Sequence, residues 1–223
     1  IAAKAKELGS PAYKVIQAGA KVLGNNKDGI DFSLEDDYYG DIRFHIPFIA
    51  WYQVMNASLA LTTMEVLKDR IPVTMEQLQA GIANTRWQGR METILPGVIV
   101  DGAHNEDGVR RFVETAERFQ KKYPLTLLFS AVNDKDYQDM IHTICSRIKF
   151  RKVVTTEVGG YREVPSAELA EIFCKEGCKD VGNSDNIEEA FHMAHEAKGE
   201  DGMLFCVGSL YLVGEIKTLL LKK

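Results

Sequence analysis

Gly97-Val98-Ile99-Val100-Asp101-Gly102-Ala103-His104-Asn105 is the stretch on which the reading of the fold turns. Its first part is a short apolar run. A run apolar at successive positions, rather than at every second one, suits a strand buried on both faces of a parallel sheet. It ends in a carboxylate, and Gly102 then permits a tight turn. Three similar runs follow: Leu125-Thr-Leu-Leu-Phe129, Lys152-Val-Val-Thr155 and Met203-Leu-Phe-Cys-Val207. Amphipathic stretches suited to helices lie at about 106–122, 134–147, 166–176 and 209–221. Another, 186–198, opens with Asn186 and has Glu189 three residues on, which is an N-cap pattern. Val181 marks one more short strand. Strands that alternate with helices imply right-handed crossovers and an open α/β sheet. The expectation is a Rossmann-like, mostly parallel open sheet with helices on both faces, occupying 87–223.

Upstream the texture changes. Residues 10–50 hold short β-like runs broken by the turn clusters Gly24-Asn-Asn-Lys-Asp-Gly29 and Gly40-Asp41. Ile30-Asp-Phe-Ser-Leu34 and Ile42-Arg-Phe-His-Ile46 alternate apolar and polar residues, as half-buried antiparallel strands do. Residues 53–67 and 74–83 carry apolar side chains at helical spacing. The organisation read from this is a β-rich piece at 1–50, a helical linker region at 51–86 and an α/β domain at 87–223. The β-rich piece is too small to stand alone. The chain opens on Ile1 in a helix-like stretch that ends at Gly9, so it is read as a piece of a longer protein.

Composition narrows the function. Apolar residues make up 45% and charged residues 26%, and the formal net charge is −5. No broad positive field exists to draw in nucleic acid or an anionic membrane surface, so neither is expected as a partner. No apolar run is long enough to span a bilayer, no signal peptide is visible, and a cytoplasmic location is expected. Cys174 and Cys178, one helical turn apart in an apparent helix, have too few ligand types nearby for zinc. They and Cys145 and Cys206 read as small buried apolar groups, and no metal site is expected within the chain.

In an open α/β sheet, ligands bind beyond the carboxyl ends of the strands. Asp101 there can accept hydrogen bonds from ribose hydroxyls, and His104 at a helix mouth can donate to an anionic oxygen. The plainer alternative is a turn with Asn105 as helix cap. Trp87-Gln88-Gly89-Arg90 places a guanidinium fork in a glycine-containing loop, which suits phosphate oxygens; a solvated Arg beside a packed Trp is the alternative. Asn56, in the first turns of a helix opening at Tyr52-Gln53, offers a donor and an acceptor for an adenine edge, or is simply an exposed polar residue.

Taken in order, Gln53-x-x-Asn56-Ala57, Trp87-x-Gly89-Arg90 and Asp101-Gly-Ala-His-Asn105 resemble folylpolyglutamate synthase and its dihydrofolate synthase relatives, in the Mur ligase family. Gly208-Ser209-Leu-Tyr-Leu-Val-Gly-Glu215 and the Asp134-Lys135-Asp136 loop fit the same resemblance, which covers essentially the whole chain. Ala50-Trp51-Tyr52-Gln53 stands where that family usually has Gly-x-His-Gln, Gln88 replaces a Pro, and Glu106 stands where Pro often follows. The resemblance implies ATP-dependent ligation of L-glutamate to the γ-carboxylate of a reduced folate through an acyl phosphate, with Mg2+ required and dihydrofolate synthase activity as a companion or replacement. It gives Asn56 to adenine, Arg90 to the ATP phosphates and Asp101 to the ribose. It places His104 and Ser209 where glutamate meets the acyl phosphate; for Ser209 a helix cap is the alternative. Residues 1–50 become the end of a central ATPase domain, and the complete enzyme a monomer. No GxxxxGK[ST] run occurs, so ATP and magnesium are expected to be held mainly by residues upstream, and these residues alone should not turn over. The competing reading is a non-catalytic Mur-like module for nucleotide binding or interaction.

Overall fold

The computed structural model describes residues 1–15, 19–26, 29–35, 37–160 and 162–221. The chain divides into two compact units, Ile1–Arg86 and Trp87–Lys223.

The first unit holds α1 (Ala2–Glu7), β1 (Ala20–Asn26), β2 (Gly29–Leu34), β3 (Phe44–Ile46), α2 (Tyr52–Val66) and α3 (Met75–Ala83). The strands form one antiparallel sheet in the order β1-β2-β3. Residues 24–26 of the expected turn cluster continue β1, and residues 27–28 lie outside the described residues. Alternation along β2 and β3 puts Ile30, Phe32, Phe44 and Ile46 into a core with Val54, Ala57 and Leu61 of α2. Tyr39 joins that core, and its hydroxyl donates to the Leu61 carbonyl at 2.7 Å. Met75, Leu78 and Ile82 of α3 pack against the same cluster. The helices of 51–86 are therefore the cover of the small sheet. A three-stranded sheet needs such a cover, because its apolar face would otherwise meet water.

The second unit holds β4 (Glu92–Leu95), β5 (Val98–Asp101), α4 (Glu106–Gln120), β6 (Leu125–Phe129), α5 (Tyr137–Arg147), β7 (Phe150–Thr155), α6 (Ser166–Lys175), β8 (Val181–Asn183), α7 (Ile187–Lys198), β9 (Met203–Val207) and α8 (Leu210–Leu221). The strand order is β4-β5-β9-β6-β7-β8. All neighbours are parallel except the edge pair β4 and β5. This is the expected α/β architecture with one antiparallel edge strand added.

The two faces are covered by different helices, and β9 shows the division. Leu204 and Cys206 pack with Ala190, Phe191 and Ala194 of α7 and with Leu212, Val213 and Ile216 of α8. Phe205, pointing the other way, meets Phe112 and Phe119 of α4 with ring centroids 5.5 and 5.7 Å apart. Neighbouring strands β5 and β9 thus send their following helices, α4 and α8, to opposite faces. A crevice opens at the carboxyl edge wherever adjacent strands part in this way. No helix among the described residues is long and apolar enough to cross a membrane.

Candidate functional site

Asp101 ends β5 at the carboxyl edge and is only 5% exposed. Its Oδ1 accepts from the Ala103 N–H at 2.8 Å, and its Oδ2 accepts from the Met91 N–H at 2.8 Å. One carboxylate therefore ties the loop before β4 to the turn after β5. The Gly102 N–H, donating to the Gly89 carbonyl at 2.6 Å, joins the same two segments again. Burial pushes the Asp101 carboxyl up to about 6, against the two backbone donors and the charges of Arg90 and His104, which favour ionisation. Met91 has φ 46, the one positive value for a non-glycine residue among the described residues. Such a conformation persists only where its surroundings over-determine it, and here Asp101 holds its N–H.

The loop that Asp101 anchors carries Arg90. Glu92 braces its other side: Oε2 accepts from the Gly89 N–H at 2.7 Å, and Lys217 of α8 donates to both carboxylate oxygens at 2.8 and 3.0 Å. Gly89 (φ 68) lies against Val213, whose Cγ1 would be 3.1 Å from an added Cβ. Arg90 is exposed, with its guanidinium 5.3 Å from the centre of the Trp87 ring. Trp87 is itself 61% exposed, so the pair is a cation on an open aromatic face. Arg90 is solvated, as the plainer alternative expected, but the Trp87 beside it is open to solvent and not packed.

His104 is half-buried, with Nδ1 2.7 Å from the Gly102 carbonyl oxygen. A carbonyl only accepts, so Nδ1 carries the proton and a neutral imidazole keeps its lone pair on Nε2. Asn105 caps α4, its Oδ1 accepting from the Gly108 N–H at 2.9 Å. Ser209 is 2% exposed and precedes α8; its Oγ accepts from the Tyr211 N–H at 3.1 Å. The cap alternative is met for Ser209, and its hydroxyl proton remains a donor. The start of α8 reaches the Asp101 turn, since an added Cβ at Gly102 would lie 2.3 Å from Leu210 Cδ2. Arg90, Asp101, His104 and Ser209 are thus gathered around the ends of β5 and β9.

Asn56 belongs to the other unit, on an exposed part of α2. Its Nδ2 donates to Gln53 Oε1 at 2.7 Å. Gln53 is 6% exposed, and its own Nε2 has no hydrogen-bond partner. A buried amino group without a partner is unusual and marks a place where a polar group is wanted. The i, i+3 spacing of Gln53 and Asn56 was the signal that could have paired them. Sequence reading passed over Glu92, and it marked the segment opening at Ser130 only as the end of a strand, with no role for Ser130 itself. Ser130 follows β6 fully buried with an unpartnered Oγ; a polar residue closing an apolar run is the only hint it gives. In the Asp134-Lys135-Asp136 loop the carboxylates have structural work. Asp136 caps α5, and Asp134 accepts from Arg162 at 3.1 Å and lies 3.8 Å from Lys135 Nζ.

Residues 89–210, more than half of the chain, match the family model of the Mur ligase glutamate ligase domain. The dihydrofolate synthase/folylpolyglutamate synthase of Bacillus subtilis is 30% identical over 194 residues, covering 83% of this chain and 43% of that protein. The Mycobacterium tuberculosis folylpolyglutamate synthase, solved with ADP and AMPPCP, matches with TM-score 0.80 and 24% identity over 98% of this chain and 51% of that one. For the folylpolyglutamate synthase of Thermotoga maritima the TM-score is 0.74 and the identity 25%, over 97% of this chain and 50% of that one. The chain therefore spans about half the length of these relatives. With the family model, the relatives and the sheet topology in agreement, this chain belongs to the Mur ligase family and carries its glutamate ligase domain.

Proposed function

We propose that this chain is the glutamate-side half of an ATP-dependent folate ligase, which joins L-glutamate to the γ-carboxylate of a reduced folate through an acyl phosphate. The observation that carries this reading is the Asp101 clasp, which holds the Arg90 loop and the His104 turn together at the carboxyl edge. Acyl activation requires a cation on the transferring phosphoryl group, which then leaves from the acyl carbon. Arg90 supplies a planar donor fork for those oxygens. His104 Nε2, left with its lone pair by the bond to Gly102, is suited to accept a proton or hydrogen bond from the incoming glutamate amine. The Ser209 hydroxyl is a donor for the same substrate, and Asp101, ionised above about pH 6, fixes the geometry and can accept from a ribose. On the first unit, Asn56 with the unpartnered Gln53 amino group provides an acceptor and a donor for an adenine edge. Magnesium would be held mainly by the phosphate-binding-loop domain, alongside the triphosphate it bridges.

The test is ADP release by a ligase that joins these residues to a phosphate-binding-loop domain. Release that requires both a reduced folate and L-glutamate is expected. Release indifferent to both, or none at all, would overturn the proposal and favour a non-catalytic nucleotide-binding module.

A further inference from the structure

Two cysteines far apart in the chain meet away from the loops just described. Cys145 lies near the end of α5, and Cys178 lies between α6 and β8. Their sulfurs are 3.6 Å apart. Helix α5 returns the chain from the carboxyl end of β6 to the start of β7, and Cys178 precedes β8. The pair therefore sits at the amino edge of the sheet, opposite the edge that carries Asp101.

The sequence suggested that Cys174 and Cys178 share a helix. They do not: α6 ends at Lys175, and Gly177 (φ 92) makes the turn that follows. The Cys178 N–H then donates to the Phe173 carbonyl at 3.1 Å, so the second thiol is placed by a capped turn. Cys145 is placed by α5, which is anchored through fully buried Ile141 and Ile144. The encounter is thus set by two ordered backbones. Nor are the sulfurs buried apolar filler: Cys145 and Cys178 are half-exposed, Cys174 is exposed, and Cys206 alone of the four is buried. The contact is polarised as well. The hydrogen bond from Cys145 holds the Cys178 thiol below its usual range, though burial and the Glu176 carboxylate oppose this. That bond, with burial, drives the Cys145 thiol up. Glu176 is engaged by His142 Nδ1 at 2.9 Å.

We propose that Cys145 and Cys178 form a thiol–disulfide exchange site that takes low-molecular-weight disulfides. Cys178 is the attacking thiolate. It displaces one thiolate from the small disulfide and becomes a mixed disulfide. Cys145, giving up its proton, attacks the Cys178 sulfur and expels the second thiolate. The two protein thiols lose two electrons and two protons, and the small disulfide becomes two thiols. Closing the bond to about 2.05 Å requires the sulfurs to approach by about 1.5 Å, within reach of side-chain rotation. The carboxyl-edge residues are untouched, so the site is independent of the proposed ligation.

The test treats the chain with oxidised glutathione and counts thiols after denaturation. Of the four thiols, two should disappear, and dithiothreitol should restore them. Trypsin separates Cys174 from Cys178 by cutting after Lys175, so the product should be one cross-linked pair of peptides, 136–147 with 176–179. Cys174→Ser should oxidise in the same way. Cys145→Ser should stop with glutathione on Cys178. Loss of no thiols, or a product confined to Cys174 or linking two chains, would overturn the proposal. The wild-type measurement decides this even if a serine variant fails to fold.

Discussion

Asp101 shows how much one side chain settles here. Buried at the end of a strand, its carboxylate must find donors, and it takes them from two loops at once. Its carboxyl is raised by burial from the ordinary 3.8 to about 6. Between those values the folded chain holds a proton that the unfolded chain has released. The group's stabilising contribution is therefore fully present below about pH 4 and is lost as pH rises through 6, a change of about 3 kcal/mol. Urea midpoints from pH 4 to 7 should show this downward component in the wild type, and Asp101→Asn should lack it. Arg90 makes the opposite case, exposed and outside the core. Arg90→Ala should leave the urea midpoint unchanged and lower the ligation rate at least tenfold, the loss expected from a bidentate phosphate contact worth a few kcal/mol. Wild-type kinetics would make Arg90 a surface residue only. The sequence already showed Asp101 at a strand end, because one short run contains both strand and carboxylate. Its bond to Met91 was not legible: it spans ten residues and needs a positive φ that nothing in a methionine announces.

Among the elements, the buried strands and the amphipathic helices were readable because each carries its own apolar pattern. β4 was not, since at Glu92–Leu95 every residue is half-buried or exposed and no apolar run forms. It exists because β5 needs an edge partner and Glu92 is held by Lys217. The end of α6 was legible to within a residue, but Cys178 was misplaced in a helix with Cys174, because the glycine that ends α6 lies between two cysteines at helical spacing. A close approach between β6 and β9 was equally hidden. Gly208 has φ 110, and an added Cβ would lie 2.1 Å from the Ser130 carbonyl oxygen. Backbone cannot give way there as a flexible side chain would. Gly208→Ala should therefore destabilise the second unit by roughly 2 kcal/mol or more, read as a lower urea midpoint. Gly102→Ala should cost less, because the nearest atom is the free end of Leu210.

At the scale of the whole molecule, each unit has its own core, and the boundary falls between Arg86 and Trp87. Gln53 and Asn56, proposed for adenine, lie on the first unit, and Arg90, Asp101, His104 and Ser209 lie on the second. The proposed chemistry also needs a phosphate-binding loop that this sequence does not contain. The most direct test is a crystal structure of the ligase carrying these residues, with a non-hydrolysable ATP analogue and L-glutamate bound. Arg90 within hydrogen-bonding distance of a phosphate oxygen, and the glutamate amine beside His104 Nε2, is the expected result. Arg90 left in solvent, with glutamate bound away from the β5 and β9 ends, would contradict it.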